Sequence, residues 1–265
     1  MTYQPFLLLS HLRSGTHFLR TSLESHPRVV CQTELFNSNA RTLPYPFTTP
    51  TAEILERHGF PERPDGVRAS GFVLHSYHPG TLRAFPHIRP NPRWEDVWDL
   101  LAAMDGLRVV RLVRRNLLRR HLSQLLADRT RQWHDWRSDR MEGVSHLGVR
   151  PPAEQVDAPR PPPEPIEIDL DRMVLDFEEV EELRRRAARR LGHHPTLEVA
   201  YEDLCRDLPG RVAGILEHLG VDPGEHRPEP AVNRLERRPL VDAVSNHDAL
   251  RDRLAGTRWA DFLDS

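Results

Sequence analysis

Short apolar runs alternate along the chain with longer segments whose apolar residues recur every three or four positions, the pattern of strands separated by helices. The runs predict strands at about 5–10, 28–32, 71–75, 108–113 and 196–200. The helical spacing predicts helices near 15–25, 51–58, 94–104, 116–133, 170–191, 203–219 and 246–255. Such alternation implies an α/β fold with a mainly parallel sheet flanked by helices. Residues 150–166, "RPPAEQVDAPRPPPEPI", hold too many prolines for a helix or a central strand. A further strand pattern, "TLEVAY", follows them and rejoins the same sheet, so this is a loop within a single domain spanning 1–265. Residues 40–50, "ARTLPYPFTTP", read as a second loop, near the open end of the sheet.

Composition narrows the possible partners. At 265 residues and 38% hydrophobic content the chain can bury one substantial core. A net charge of −2 argues against a general nucleic-acid or membrane-surface binder, which needs a basic excess. All 37 basic residues are arginine, so no lysine can act as Schiff base, general base or nucleotide clamp. Cys31 and Cys205 show no metal-ligand spacing and read as buried, reduced thiols of a cytoplasmic protein. No apolar stretch approaches the roughly 20 residues of a membrane span, and the start "MTYQPFLLLS" lacks a basic leader region.

Two stretches carry candidate chemistry. "SHLRSGTHFL", residues 10–19, follows the first apolar run and leads into a helix, the layout of a phosphate loop. Gly15 permits a tight turn, Ser14 and Thr16 add hydroxyls, and Arg13 supplies a permanent charge. The stretch also suits an ordinary strand-to-helix turn with Ser14 as N-cap. The Walker pattern, with its lysine and first glycine, is absent, which disfavours hydrolysis of nucleoside triphosphates. The second stretch, "VVRLVRRNLLRRHLSQLLADRTRQW", runs from a strand through Arg114, Arg115 and Asn116 into a helix with Leu117, Leu118, Leu122, Leu125 and Leu126 on its apolar side. Arg115 and Ser123 are eight apart, so both can converge on one anion. Most of Arg119, Arg120, Arg129 and Arg131 read as a solvated helix face.

These residues carry a resemblance to the sulfotransferases. "HLRSGTHFLRTSLESHP" resembles their 5′-phosphosulfate loop, and "RLVRRNLLRRHLSQLL" their 3′-phosphate motif, in which an Arg and a Ser eight residues later hold the 3′-phosphate of 3′-phosphoadenosine-5′-phosphosulfate (PAPS). "SHPRVVCQTELF" and "YEDL…ILEHLGV…NRLERRPLVDAVSNHDALRDRLAGTRWADFL" are similar to segments of the bacterial carbohydrate-type branch, which includes trehalose and nodulation-factor sulfotransferases. The resemblance implies a P-loop-like fold. It also implies sulfonate transfer from PAPS, without a metal, to a hydroxyl of a carbohydrate or specialised small molecule. Its donor site would comprise Arg13, Ser14, Gly15, Thr16, His17, Arg115, Ser123, Tyr201, Arg234, Arg237 and Arg238.

For catalysis the resemblance implies Arg13 at the leaving group and Glu34, in the "ELF" segment, as base. His75 and His78 are the runner-up bases, since phenol and steroid sulfotransferases use a histidine after a comparable strand. Three departures stand out: His17 replaces a second Thr or Ser, Val73 replaces a frequent lysine, and Arg234-Leu235 replaces Arg/Lys-Gln. The alternatives are a P-loop-like nucleotide kinase and a non-catalytic binder of 3′-phosphoadenosine-5′-phosphate (PAP) or a sulfated ligand. Acceptor identity is open, as is homodimerisation; Phe36, Tyr45, Phe47, Trp133 and Trp136, on the loops at 36–50 and 134–166, suit a sugar face or an aryl ring equally.

Overall fold

A computed structural model of the protein describes residues 2–37, 43–78, 80, 82–88, 92–133, 164–232 and 238–264. Five strands, β1 (Gln4–Ser10), β2 (Val29–Glu34), β3 (Ala69–His75), β4 (Arg108–Val113) and β5 (Thr196–Ala200), form one sheet in the order β2-β3-β1-β4-β5. Every pairing is parallel. The chain leaves central β1 for the β2 edge, returns through β3, then crosses to β4 and β5. The carboxyl ends of all five strands therefore share one edge, and the order reverses beside β1, where open α/β sheets bind ligands.

β1 and β3 are buried from end to end apart from Gln4 at the start of β1, which is why their sequences are near-continuous apolar runs. In β1, Phe6 and Leu8 join a core cluster with Leu19 and Leu23 of α1 (Thr16–Glu24) and Ile215 and Leu216 of α7 (Leu208–His218). Leu7 and Leu9 face the opposite layer, with Trp98 of α3 (Val97–Ala102) and Leu191 of α5 (Leu170–Leu191). Close packing at the centre explains Gly71, where an added Cβ would lie 2.0 Å from the Phe6 carbonyl oxygen. A third cluster joins α4 (Leu117–Thr130), α5, α8 (Leu240–Ala243) and α9 (His247–Leu254).

The expected strands and helices are present, with local differences. The helix expected at 51–58 is α2 (Thr51–Ile54) continued by a π-helical turn, Leu55–Gly59. The helix expected at 203–219 is two, α6 (Tyr201–Arg206) and α7, because the Asp207 side chain accepts from the Gly210 amide and Pro209 follows it in the first turn. Of the four arginines whose majority reads as a solvated face, Arg120 does not belong to that face. It is fully buried and ion-paired with Asp176 of α5, because α5 packs directly over α4. Cys31 is buried as expected, but Cys205 is exposed: α6 turns Tyr201 and Leu204 inward, which leaves its next position facing out. The proline-rich segment 150–163 and Trp136 lie outside the described residues; the chain re-enters at Glu164, and Ile166 bridges to Val244. Among the described residues no helix is long and apolar enough to cross a membrane.

Candidate active site

The loop between β1 and α1 turns tightly and leaves the start of the helix uncapped. Arg13 and Gly15 both have positive φ, 61° and 89°, so successive amides turn toward one side. Gly15, and not the expected Ser14, is the N-cap of α1, and no side chain caps the helix. The first-turn amides of α1 are thus left for another acceptor. Ser14 is wholly buried, yet its Oγ finds no hydrogen-bond partner among the described residues. A phosphate group suits both the orphaned hydroxyl and the uncapped helix. The Tyr201 ring closes the back of the loop: a Cβ on Gly15 would stand 2.3 Å from Tyr201 Cδ2. Tyr201 thus meets the loop at Gly15.

Arginines converge behind and beside this loop. Arg13 Nε donates to Ser123 Oγ at 3.1 Å, and its Nη1 to the Trp133 carbonyl at 2.7 Å. Arg114 donates to the Arg13 carbonyl at 3.1 Å and lies over the Tyr201 ring, 4.9 Å from its centroid. Arg184 of α5 donates in turn to the Arg114 carbonyl at 2.9 Å. Burial, then the Arg114 charge, brings the Arg13 guanidinium down to about 10, so it stays charged at neutral pH. Sequence gives neither Arg114 nor Arg184 a role at this loop; Arg114 lies inside the quoted "RLVRRNLLRRHLSQLL", but Arg184 comes from a helix with no motif at all.

The structure brings Ser123 to Arg13 but places the Arg115 guanidinium elsewhere. Arg115 makes a two-pronged ion pair with Asp203 of α6, at 3.0 and 2.9 Å, and its side chain is 62% exposed. Glu202 accepts from the backbone amides of Arg115 and Asn116, both at 3.1 Å, which joins α6 to the end of β4. Arg115 and Ser123, expected to converge on one anion, are therefore each held by a different partner here. Of the C-terminal arginines, Arg238 accepts through its carbonyl from Arg119 Nη1 at 2.7 Å; Arg234 and Arg237 lie outside the described residues.

Glu34 ends β2, at the carboxyl edge of the sheet. The β2–β3 register shifts between Gln32 and Glu34, so two β2 residues oppose one of β3. This bulge brings Glu34, in place of Thr33, opposite Val73. Its Oε1 lies 2.8 Å from His75 Nε2 and 3.8 Å from His17 Nε2, and its Oε2 accepts from Asn37 Nδ2 at 2.8 Å. Burial pushes this carboxyl up, but the charge and hydrogen bond of His75, with His17, outweigh it and hold Glu34 well below the usual carboxylate range. His75 Nδ1 lies 2.9 Å from Ser10 Oγ, which lies 2.9 Å from Thr16 Oγ1. His78 is buried, and burial followed by the His75 charge brings it down to about 3, so it is neutral at pH 7. Its carbonyl accepts from Trp98 Nε1.

The sequence departures can now be placed. His17 stands on the first turn of α1, beside Glu34. Val73 is 1% exposed inside the sheet, where a lysine ammonium would be desolvated. Among the described residues no group of three or more His, Cys, Asp or Glu side chains is arranged to hold a metal ion.

No protein-family model matches the chain. It is similar to Nodulation protein H of Rhizobium meliloti, with 26% identity over 263 residues, 98% of this chain and 95% of that protein. The similarity to Nodulation protein H of Rhizobium tropici is 25% over 98% of this chain and 93% of that protein. Among solved structures, a sulfotransferase from Alicyclobacillus acidocaldarius matches 100% of this chain and 94% of its own, with a TM-score of 0.50 and 15% identity, a likeness of fold.

Proposed function

We infer that the protein is a PAPS-dependent sulfotransferase, a relative of Nodulation protein H along 98% of this chain, with a sulfotransferase fold. It transfers a sulfonate group to a hydroxyl of a carbohydrate or other small molecule, in the cytoplasm. The observation that carries this reading is the junction of two parts at one sheet edge. An uncapped anion loop with an orphaned Ser14 hydroxyl is joined through Ser10 and His75 to an ionised carboxylate, Glu34.

When bound, PAPS supplies the sulfonate and an in-line leaving group, so that R–OH and PAPS give R–O–SO₃⁻, PAP and a proton. The chain's part is positioning and electrostatics. The amides of Gly15 to His17, the Ser14 hydroxyl and the Arg13 guanidinium would hold the 5′-phosphate and offset the charge that grows on it, the Ser14 amide being already given to the His11 carbonyl. Ser123, with an Arg115 released from Asp203, would hold the 3′-phosphate, and Tyr201, Arg234, Arg237 and Arg238 the rest of the nucleotide. Glu34 takes the acceptor proton. Both ring nitrogens of His75 are engaged within the protein, and neutral His78 lies buried, whereas Glu34 keeps an accessible face with 16% of its side chain exposed. A carboxylate held so firmly ionised is a weak base. It suffices for a proton that becomes strongly acidic as the acceptor oxygen bonds to sulfur.

The nucleotide-kinase alternative lacks the lysine of a triphosphate loop. Thermal-shift titration should show stabilisation by PAP and none by ATP, and radiolabelled PAPS should label an acceptor from a panel of sugars and alcohols. Stabilisation by PAP with no labelled product from any acceptor would leave the protein a binder and not an enzyme.

A further inference from the structure

Ser10 and His75 are the last register pair of β1 and β3, so the sheet itself sets them side by side. Ser10 Oγ touches Thr16 Oγ1 on one side and His75 Nδ1 on the other, each at 2.9 Å, and His75 Nε2 reaches Glu34 Oε1 at 2.8 Å. Ser10, Thr16 and His75 are all at most 6% exposed. One buried hydrogen-bonded run thus leads from the first residue of α1, in the anion loop, to the carboxylate.

Proton counting gives this run a direction. Each hydroxyl owns one proton. With a single proton on His75, at Nε2 and donated to Glu34, Nδ1 must accept from Ser10. Ser10 then accepts from Thr16, and the Thr16 proton points inward. With both nitrogens protonated, Nδ1 donates to Ser10, Ser10 donates to Thr16, and the Thr16 proton is turned outward, free for an anion in the loop.

We propose that His75 is a positioning residue that links the two halves of the site: a phosphate accepted by Thr16 draws a proton onto His75 through Ser10 and fixes Glu34 in an ion pair. The proposal rests on the sulfotransferase reading. It makes donor occupancy and the orientation of the base one event, so the carboxylate is clamped when the 5′-phosphate is in place.

The groups facing this pair come from every neighbouring element. Asn37 follows β2, His17 lies on α1, and Arg13 in the loop adds a permanent charge. Beyond β3, Tyr77 stacks on His75 with centroids 5.3 Å apart, and His78 stands at 5.4 Å. His11, beside Ser76, is held well below its ordinary range by burial and then by arginine charge, so it stays neutral, as does His78. His17, 3.8 Å from the Glu34 carboxylate, is the remaining histidine beside the pair.

Titration calorimetry of PAP binding between pH 6 and 8, in buffers of different ionisation enthalpy, tests the proposal on the full chain. The phosphates of PAP titrate in this window too, so the informative quantity is the difference between proteins. The wild type should take up more protons per PAP, by at most one, than His75→Gln, whose amide can serve Glu34 and Ser10 but cannot titrate. The relative affinity of the wild type should rise by up to about tenfold per pH unit as pH falls. Ser10→Ala should lose the extra uptake and Ser10→Thr should keep it, each with a thermal midpoint near that of the wild type. Equal uptake by wild type and His75→Gln, or a loss confined to His17→Asn, would overturn the linkage while the sulfotransferase reading stands. A wild type that does not bind PAP would overturn both.

Discussion

At Glu34 the chief partner, His75, is 4% exposed and already in place, whereas the Arg115 guanidinium that pairs with Asp203 belongs to a side chain 62% exposed. The two ends of the site thus use charge in opposite ways. Around Glu34 the low dielectric strengthens each hydrogen bond and makes any unpaired group costly, so orientation is fixed by folding. Around Arg115 an exposed ion pair contributes little, so an incoming phosphate can take the place of the carboxylate at small cost. On the proposed reading, chemistry would sit at the rigid end and nucleotide recognition at the exchangeable one.

The comparison can be broken most severely at Glu34. Glu34→Gln should preserve shape yet lower turnover at saturating PAPS on an alkyl or sugar acceptor by about 10²–10⁴, the range for losing general-base catalysis. A phenol, which ionises readily, should lose less. Steady-state rates with radiolabelled PAPS check this, and full activity on the alkyl acceptor would remove Glu34 from the mechanism. Next in size is Arg115→Ala. It should weaken PAP by about tenfold and leave adenosine 5′-phosphosulfate unchanged, since the lost charge-assisted bond belongs to the 3′-phosphate. Equal losses for both nucleotides would show that Arg115 has another role. The smallest effect sharpens the contrast: Asp203→Asn frees Arg115 and should tighten PAP by a factor of about 1.5–5, the scale of an exposed ion pair. Fluorescence competition would detect it, and weaker binding would mean that Asp203 orients Arg115 toward the ligand instead of competing for it.

What sequence made legible follows the range of the interactions. The strands and most helices rest on local periodicity and were readable, as was the anion loop, whose glycine and hydroxyls lie within seven residues. The Ser10–His75 contact spans 65 residues and depends on β1 pairing with β3, which no local pattern reveals. The β2 bulge that re-aims Glu34 leaves no mark in "VVCQTE". Arg115 misled because eight-residue spacing places two backbones near each other and says nothing of which carboxylate a long side chain finds. Buried Arg120 misled in the same way: a run of arginines on α4 reads as solvent-facing until α5 supplies Asp176.

The contrast between the two cysteines gives the protein a built-in place for a reporter. The Cys31 thiol is wholly buried, and burial pushes its ionisation far up, so alkylating reagents will pass it by. Cys205 stands in the open on α6, the helix that begins with the ring against Gly15 and carries the carboxylate on Arg115. A maleimide dye can therefore be attached at a single known point without any mutation. From there, fluorescence can follow how α6 responds as the loop fills, one molecule at a time.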